Sequence, residues 1–206
     1  MSKIAVDVVL LPSDEMTDYA IQVNTELVEK FGKKIVLNKE NCLPHISLAM
    51  GCIDESDIVH IGKVLKLIAS ESPLGELIVS DIRTSTNVRG EKISVFEIDK
   101  TKELQLLHEK IMKKTSPYFT YDVISEMLYG DEQAAQTSLL WIKNYPEKAS
   151  FTNFFPHITI GYGEIENGPH PVKFAASRLA LCHLGNHCTC RKILVSINIT
   201  PSKTGG

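Results

Sequence analysis

The sequence predicts an α+β protein made of two related halves. Short apolar segments typical of strands alternate along the chain with longer segments whose apolar residues recur at helical spacing. The order strand, helix, strand occurs twice, which indicates an internal repeat. Each half also contains the pattern Pro-His-apolar-hydroxyl-apolar, at residues 44–48 and 156–160. These observations predict two similar structural units that share one packed body.

Composition and charge exclude several classes of protein. The chain has 206 residues, of which 43% are hydrophobic and 23% are charged, so it is neither disordered nor collagen-like. With 22 Lys and Arg against 25 Asp and Glu, the net charge is −3, which argues against wrapping duplex DNA by charge alone. No apolar run approaches the roughly 20 residues of a membrane span, and the N-terminus lacks a signal-peptide pattern. We therefore expect no membrane partner; the oligomeric state is not indicated.

The five cysteines suggest a compartment and one alternative site. An odd number without an export signal predicts reduced thiols in a cytoplasmic protein. The segment around Cys182, Cys188 and Cys190 also holds His183 and His187, whose ligand types fit zinc. Its spacing does not match a paired Cys-x-x-Cys frame, so two strands joined by a tight turn are favoured over a zinc module.

The first half contains the elements expected of a small sheet with helices. A buried strand over residues 4–11 ends at Pro12, and Ser13 caps a helix that stops at Gly32. A short segment over residues 35–37 precedes a polar loop and a strand over residues 45–49. A second helix starts within residues 54–57, a strand follows over residues 77–82, and residues 83–90 are rich in turn formers.

The second half repeats this order with an insertion. We expect a strand over residues 93–98, a helix from Thr101 to about Pro117, and strands over residues 158–162, 174–184 and 191–199. The first strand precedes the motif histidine by 41 residues in the first half and by 64 in the second. The extra 23 residues lie within residues 118–153, where a helix is expected over about 133–143. The sequence thus predicts a single domain, 1–206, with pseudo-repeats over about 3–86 and 91–200.

The repeated motif carries the candidate chemistry. Alternate side chains of a strand share a face, so His45 lies beside Ser47, and His157 lies beside Thr159. A two-fold relation between the halves brings both faces to one cleft. Because imidazole has a pKa near 6.5, one ring can accept a proton while the other donates one. The two hydroxyls can donate hydrogen bonds to phosphate oxygens.

These paired Pro-His-x-Ser/Thr motifs resemble those of the 2H phosphoesterase superfamily. Within it, the chain is most similar to the bacterial and archaeal 2′-5′ RNA ligase and cyclic phosphodiesterase group, over roughly residues 3–200. The resemblance implies a bilobal α+β fold with two antiparallel sheets lining a central cleft and helices on the outer faces. It implies His45 and His157 as acid and base and Ser47 and Thr159 as phosphate ligands. Since acid–base chemistry by these residues requires no metal, we expect no cofactor.

The resemblance also extends to residues near the second motif. Tyr162 lies at an offset where similar enzymes line the phosphate or base pocket, and Phe155 is placed to stack on a base at the cleft edge. No basic phosphate ligand can be matched, although Arg83, Arg89 and Lys92 surround a turn. His108 is expected to be structural, on a helix.

The sequence therefore predicts a metal-independent phosphodiesterase. Its expected substrates are ribose 2′,3′-cyclic phosphates on nucleotides or RNA ends. One alternative is a 2′-5′ RNA phosphodiesterase or ligase. Another, from a different class, is a nucleotide- or RNA-binding module without turnover. Two intact His-x-hydroxyl pairs argue against a pure binder, which has no need of both rings.

Overall fold

The computed structural model describes residues 2–32, 34–87, 89–130, 133–165 and 171–199. The first half contributes five elements: β1 (Lys3–Pro12), α1 (Asp14–Phe31), β2 (Ile46–Asp54), α2 (Ile58–Glu71) and β3 (Leu77–Thr86). The second half contributes seven: β4 (Lys92–Ile98), α3 (Lys102–Thr115), α4 (Gln136–Lys148), β5 (His157–Tyr162), β6 (Val172–Phe174), β7 (Ala176–Leu184) and β8 (Cys190–Asn198). Most of the expected elements are therefore present.

The helix ends follow from their sequences. Asp14 and Glu15 lie in the first turn of α1, where carboxylates favour the positive end of the helix dipole. Gly32, with a φ of 99°, ends this helix in a conformation that side chains with a Cβ rarely adopt. The Thr101 hydroxyl accepts a hydrogen bond from the Leu104 amide and caps α3.

Two local predictions are wrong. β3 continues to Thr86, within the segment expected to be a turn, because it pairs with β4 as far as Thr86 opposite Lys92. The strand expected over residues 174–184 is divided into β6, which pairs with β3, and β7, which pairs with β1.

The strands form one antiparallel sheet of eight, in the order β6-β3-β4-β5-β2-β1-β7-β8. Two separate sheets were expected, but β2 and β5 join the halves through a pair between Ile46 and Ile158. Each of these isoleucines follows a motif histidine by one residue. The bulge between Val8 and Val9, where β1 pairs with β2, recurs where β4 pairs with β5.

The helices and the insertion cover the sheet. Tyr19 of α1 stacks on Phe96 of β4, and α2 packs on β8, with Val195 close to Gly62. His108 of α3 is fully buried; its Nδ1 bonds the Leu48 carbonyl, as expected of a structural residue. The insertion contributes α4, which packs against β2 and the turn over residues 186–188. No helix in the described ranges is long and apolar enough to cross a membrane.

The cysteine hairpin corrects one prediction. β7 and β8 pair across a tight turn, as expected, but Cys182 and Cys190 form a disulfide, with Cα atoms 5.6 Å apart. The prediction of five reduced thiols is therefore wrong, because a cysteine count does not reveal that the register of this hairpin brings two of them together. The zinc alternative is not supported either. His183 bonds the Met127 carbonyl, and no metal-binding cluster of His, Cys, Asp or Glu is found among the described residues.

Candidate active site

The two motif histidines lie at the centre of the sheet. In both motifs burial alternates as the sequence predicts: Ile46 and Ile158 are 1% and 0% exposed, whereas the flanking histidines and hydroxyl residues are half-buried. The His45 side chain is 12% exposed, so its ring remains accessible. The apolar residues therefore anchor each strand in the core, while the polar ones form an accessible face.

The antiparallel register brings the two motifs together. Ile46 lies opposite Ile158. Extending this antiparallel register by one residue in each direction puts His45 across from Thr159 and Ser47 across from His157. Residues directly opposite in an antiparallel pair share a face. The two rings are close enough to interact, because repulsion from the charged form of His157 is one cause of the lowered pKa of His45. The structure thus unites four predicted site residues that are far apart in sequence.

Both imidazoles are oriented by the same kind of hydrogen bond. Nδ1 of His45 lies 2.7 Å from the Leu43 carbonyl, and Nδ1 of His157 lies 2.8 Å from the Phe155 carbonyl. A carbonyl can only accept, so in each neutral ring the proton resides on Nδ1 and Nε2 carries a lone pair. Each Nε2 is therefore available for proton transfer.

Burial keeps both rings neutral in the free protein. Desolvation lowers the pKa of His45 to about 4, opposed by its bond to the Leu43 carbonyl and reinforced by repulsion from His157. Desolvation also lowers the pKa of His157, opposed by the Phe155 carbonyl. A bound phosphate favours the protonated form of a nearby ring, because opposite charges attract.

A buried carboxyl that was not predicted adjoins the first motif. Asp7 of β1 is 0% exposed; its Oδ2 accepts a 2.6 Å hydrogen bond from the Ser47 hydroxyl and lies 3.9 Å from His45 Nε2. Burial raises the pKa of Asp7 well above its usual value, while the Ser47 hydrogen bond lowers it. A single charged residue inside an otherwise apolar strand was the available sequence signal.

The two hydroxyls consequently have different surroundings. Ser47 donates its one proton to Asp7, whereas Thr159 has no hydrogen bond from its hydroxyl within the described residues. Ile93 occupies the place of Asp7 in the second half. Asp7 pairs with Met50, five residues after His45, and Ile93 pairs with Tyr162, five residues after His157. The two halves therefore match in their motif histidines, whereas the position of Asp7 in the first half is taken by Ile93 in the second.

The two aromatic candidates lie on opposite sides of His157 in sequence. Phe155 stacks on the His157 ring with centroids 5.3 Å apart, and the Arg83 guanidinium lies 5.2 Å from the Phe155 centroid. Tyr162 bonds His187 Nδ1 through its hydroxyl at 3.1 Å, and Lys34 Nζ lies 4.8 Å from its ring centroid. Each aromatic side chain is thus accompanied by a cationic one.

A polar cavity of about 430 Å³ lies beside this site. His187 lines it and connects it to Tyr162, but neither motif imidazole lines it. Lys34 and Arg191 supply positive charge, and the remaining lining includes several amide side chains, those of Asn38, Asn41 and Asn186. The cavity is suited to a polar or anionic molecule rather than to an apolar one.

Comparison with solved structures finds the same architecture in LigT from E. coli. The chain superposes on apo LigT with a TM-score of 0.51 at 13% identity, covering 97% of this chain and 99% of LigT. This chain has the LigT fold. LigT in complex with 3′-AMP matches with the same TM-score, identity and coverage, and LigT in complex with phosphate matches with a TM-score of 0.50 at 11% identity.

Likeness to LigT at this identity concerns the fold alone. No protein-family model matches the sequence. No curated protein matches it either. The α+β class with an antiparallel sheet and four helices, as in the LigT fold, is therefore confirmed.

Proposed function

We propose that the chain is a metal-independent phosphodiesterase that hydrolyses ribose 2′,3′-cyclic phosphates on nucleotides or RNA ends. The single observation that carries the proposal is the pairing of Ile46 with Ile158, which brings two oriented imidazoles to one face. The LigT fold supports a phosphoesterase of the 2H type, and the E. coli protein has been captured with 3′-AMP and with phosphate.

The reaction requires two proton transfers. Water attacks phosphorus opposite the departing ribose oxygen, so a new P–O bond forms as the ribose P–O bond breaks. One imidazole accepts the proton that water loses, and the protonated partner donates a proton to the ribose oxygen. Two histidines with free Nε2 atoms supply both transfers.

The surrounding residues suit a nucleotide substrate. Phe155, beside His157, offers a face for base stacking, and Arg83 next to it offers a positive charge. Tyr162 with His187 forms the border between the motifs and the polar cavity. We assign this cavity to the part of the substrate that extends beyond the scissile phosphate.

The test is a substrate panel with the purified protein. It contains 2′,3′-cyclic nucleotides, RNA with a 2′,3′-cyclic phosphate end, 2′-5′ dinucleotides and matched 3′-5′ dinucleotides, each with and without EDTA. We expect hydrolysis of the cyclic phosphates, unchanged by EDTA, with the product phosphate position identified by ³¹P NMR. Turnover of 2′-5′ dinucleotides alone would favour the RNA phosphodiesterase alternative. Binding without turnover of any compound would favour the binding module.

A further inference from the structure

The hydrogen bond between Ser47 and Asp7 limits what Ser47 can offer a substrate. A serine hydroxyl has one proton, and here it is donated to a fully buried carboxyl oxygen 2.6 Å away. Ser47 therefore presents only lone pairs to the cleft. Lone pairs repel the anionic oxygens of a phosphate and attract an O–H group.

The neighbouring imidazole is matched to such an O–H group. His45 Nε2 carries a lone pair because Nδ1 donates to the Leu43 carbonyl. A water molecule whose oxygen faces phosphorus can donate one proton to Ser47 Oγ and the other to His45 Nε2. The Asp7 carboxyl lies next to the imidazolium that then forms, with Oδ2 3.9 Å from Nε2.

The second half offers the complementary arrangement. Ile93 replaces Asp7 there, and within the described residues no carboxyl bonds the Thr159 hydroxyl. Glu97 of β4 lies opposite His157, but its carboxyl pairs with Arg83. Thr159 is free to donate to a non-bridging phosphate oxygen, and His157, once protonated, has an Nε2–H to give to the leaving oxygen.

We infer that Asp7 is a positioning residue that gives the two motifs different roles. By accepting the Ser47 proton, it leaves Ser47 and His45 to hold and deprotonate the attacking water. Thr159 and His157 then hold the phosphate and protonate the leaving ribose oxygen. The water O–H proton goes to His45, and the His157 proton goes to the ribose oxygen. This inference rests on the proposed function and deepens it.

Other groups also face Asp7. Tyr145 of α4 and Cys188 of the turn over residues 186–188 interact electrostatically with it, and the neighbouring strand pairs Cys182 with it. Burial raises the pKa of Cys188 to about 12 and that of Tyr145 well above its usual value, so both stay neutral. Cys182 is held in the disulfide. Of these described neighbours of Asp7, His45 is the one whose charge changes during the proposed reaction.

The first test compares two isosteric hydroxyl deletions by calorimetric titration with inorganic phosphate. Thr159→Val should weaken phosphate binding about tenfold or more, the usual effect of losing a hydrogen bond to a charged group. Ser47→Ala should leave the phosphate Kd within about twofold while lowering kcat, because it removes a contact to water only. Equal weakening by both variants would overturn the inference. The comparison of phosphate affinities needs no Asp7 variant and no turnover, and failure of the wild type to bind phosphate would overturn the proposed function as well.

The second test compares Asp7→Ala with Asp7→Asn. Asp7→Ala removes the acceptor of the Ser47 proton, so Ser47 can donate to a phosphate oxygen, and phosphate should bind more tightly while kcat falls. Asp7→Asn keeps an acceptor for Ser47 and should restore kcat toward the wild-type value. Equal kcat values in the two variants, with folding verified by circular dichroism, would refute the positioning role. Ile93→Val is the strand control, expected to match wild type. If the wild type is inactive on every substrate, the proposed function fails. The phosphate affinities of Thr159→Val and Ser47→Ala still test whether the two hydroxyls have different roles.

Discussion

Ile46 and Ile158 lie opposite each other at the register pair that joins β2 to β5. Both are buried, and each follows a motif histidine by one residue. The apolar contact that unites the halves therefore also sets the relative position of the two imidazoles. Because the residues of a strand alternate between faces, packing on one side of the sheet fixes the relative placement of the motif histidines on the other.

Loss of either motif imidazole should abolish most turnover. His45→Gln and His157→Gln are each expected to lower kcat about 100-fold or more, since each removes one proton-transfer group. Steady-state assays on a 2′,3′-cyclic nucleotide measure this, with circular dichroism to verify folding. His60→Gln, on an exposed part of α2, is the matched control and should keep wild-type rates. Near-normal turnover in either motif variant would refute the acid–base roles.

The pH profile of kcat/KM should be bell-shaped with an acidic optimum. Neutral His45 is needed, and its pKa is lowered to about 4, so the acidic limb should lie near that pH. Protonated His157 is needed, and its pKa is lowered from 6.5, so the alkaline limb should lie below 6.5. In kcat, the bound anion should move both limbs upward. A profile that is flat between pH 4 and 9, measured in buffers of constant ionic strength, would contradict this.

Phe155 and Arg83 should contribute to binding rather than to chemistry. Phe155→Ala should raise KM about tenfold, since base stacking contributes about 1–3 kcal/mol, with a smaller effect on kcat. Arg83→Gln should raise KM less, because this guanidinium is solvated and also pairs with Glu97. A cyclic phosphate that lacks a base should be insensitive to Phe155→Ala. Equal losses on substrates with and without a base would argue against stacking.

His108 should stabilise the fold in a pH-dependent way. Its Nδ1 donates a hydrogen bond to the Leu48 carbonyl, and its Nε2 accepts one from the Phe151 amide. His108→Phe should therefore lower the free energy of unfolding, measured in urea, by about 2–4 kcal/mol. Burial lowers its pKa to about 4. The unfolded chain then binds a proton first, so this contribution is present above pH 6.5 and is lost as the pH falls toward 4. The stability difference between wild type and variant should shrink over that range; a constant difference would contradict the assignment.

The Cys182–Cys190 disulfide should stabilise the β7–β8 hairpin. It closes a short loop with a sequence separation of 8, for which a loss of about 2 kcal/mol on removal is expected. Dithiothreitol should lower the melting temperature of the wild type but not that of the Cys182→Ala, Cys190→Ala double variant. Cys188→Ala is the control and should respond to the reductant like wild type. Thiol titration of the unreduced protein should find three free thiols; five would show that the bond is absent.

The sequence by itself determined the α+β class, most of the helices and strands, and the four residues of the repeated motif. The spacing of apolar residues indicates which side chains are buried. The histidine motif recurs 112 residues further along the chain, so the repeat is visible in the sequence alone. Only the tertiary structure decided that one sheet joins the halves, that Cys182 and Cys190 meet, and that Asp7 lies against Ser47 and His45. Those outcomes depend on register between strands distant in sequence, and local patterns carry no information about which strands become neighbours.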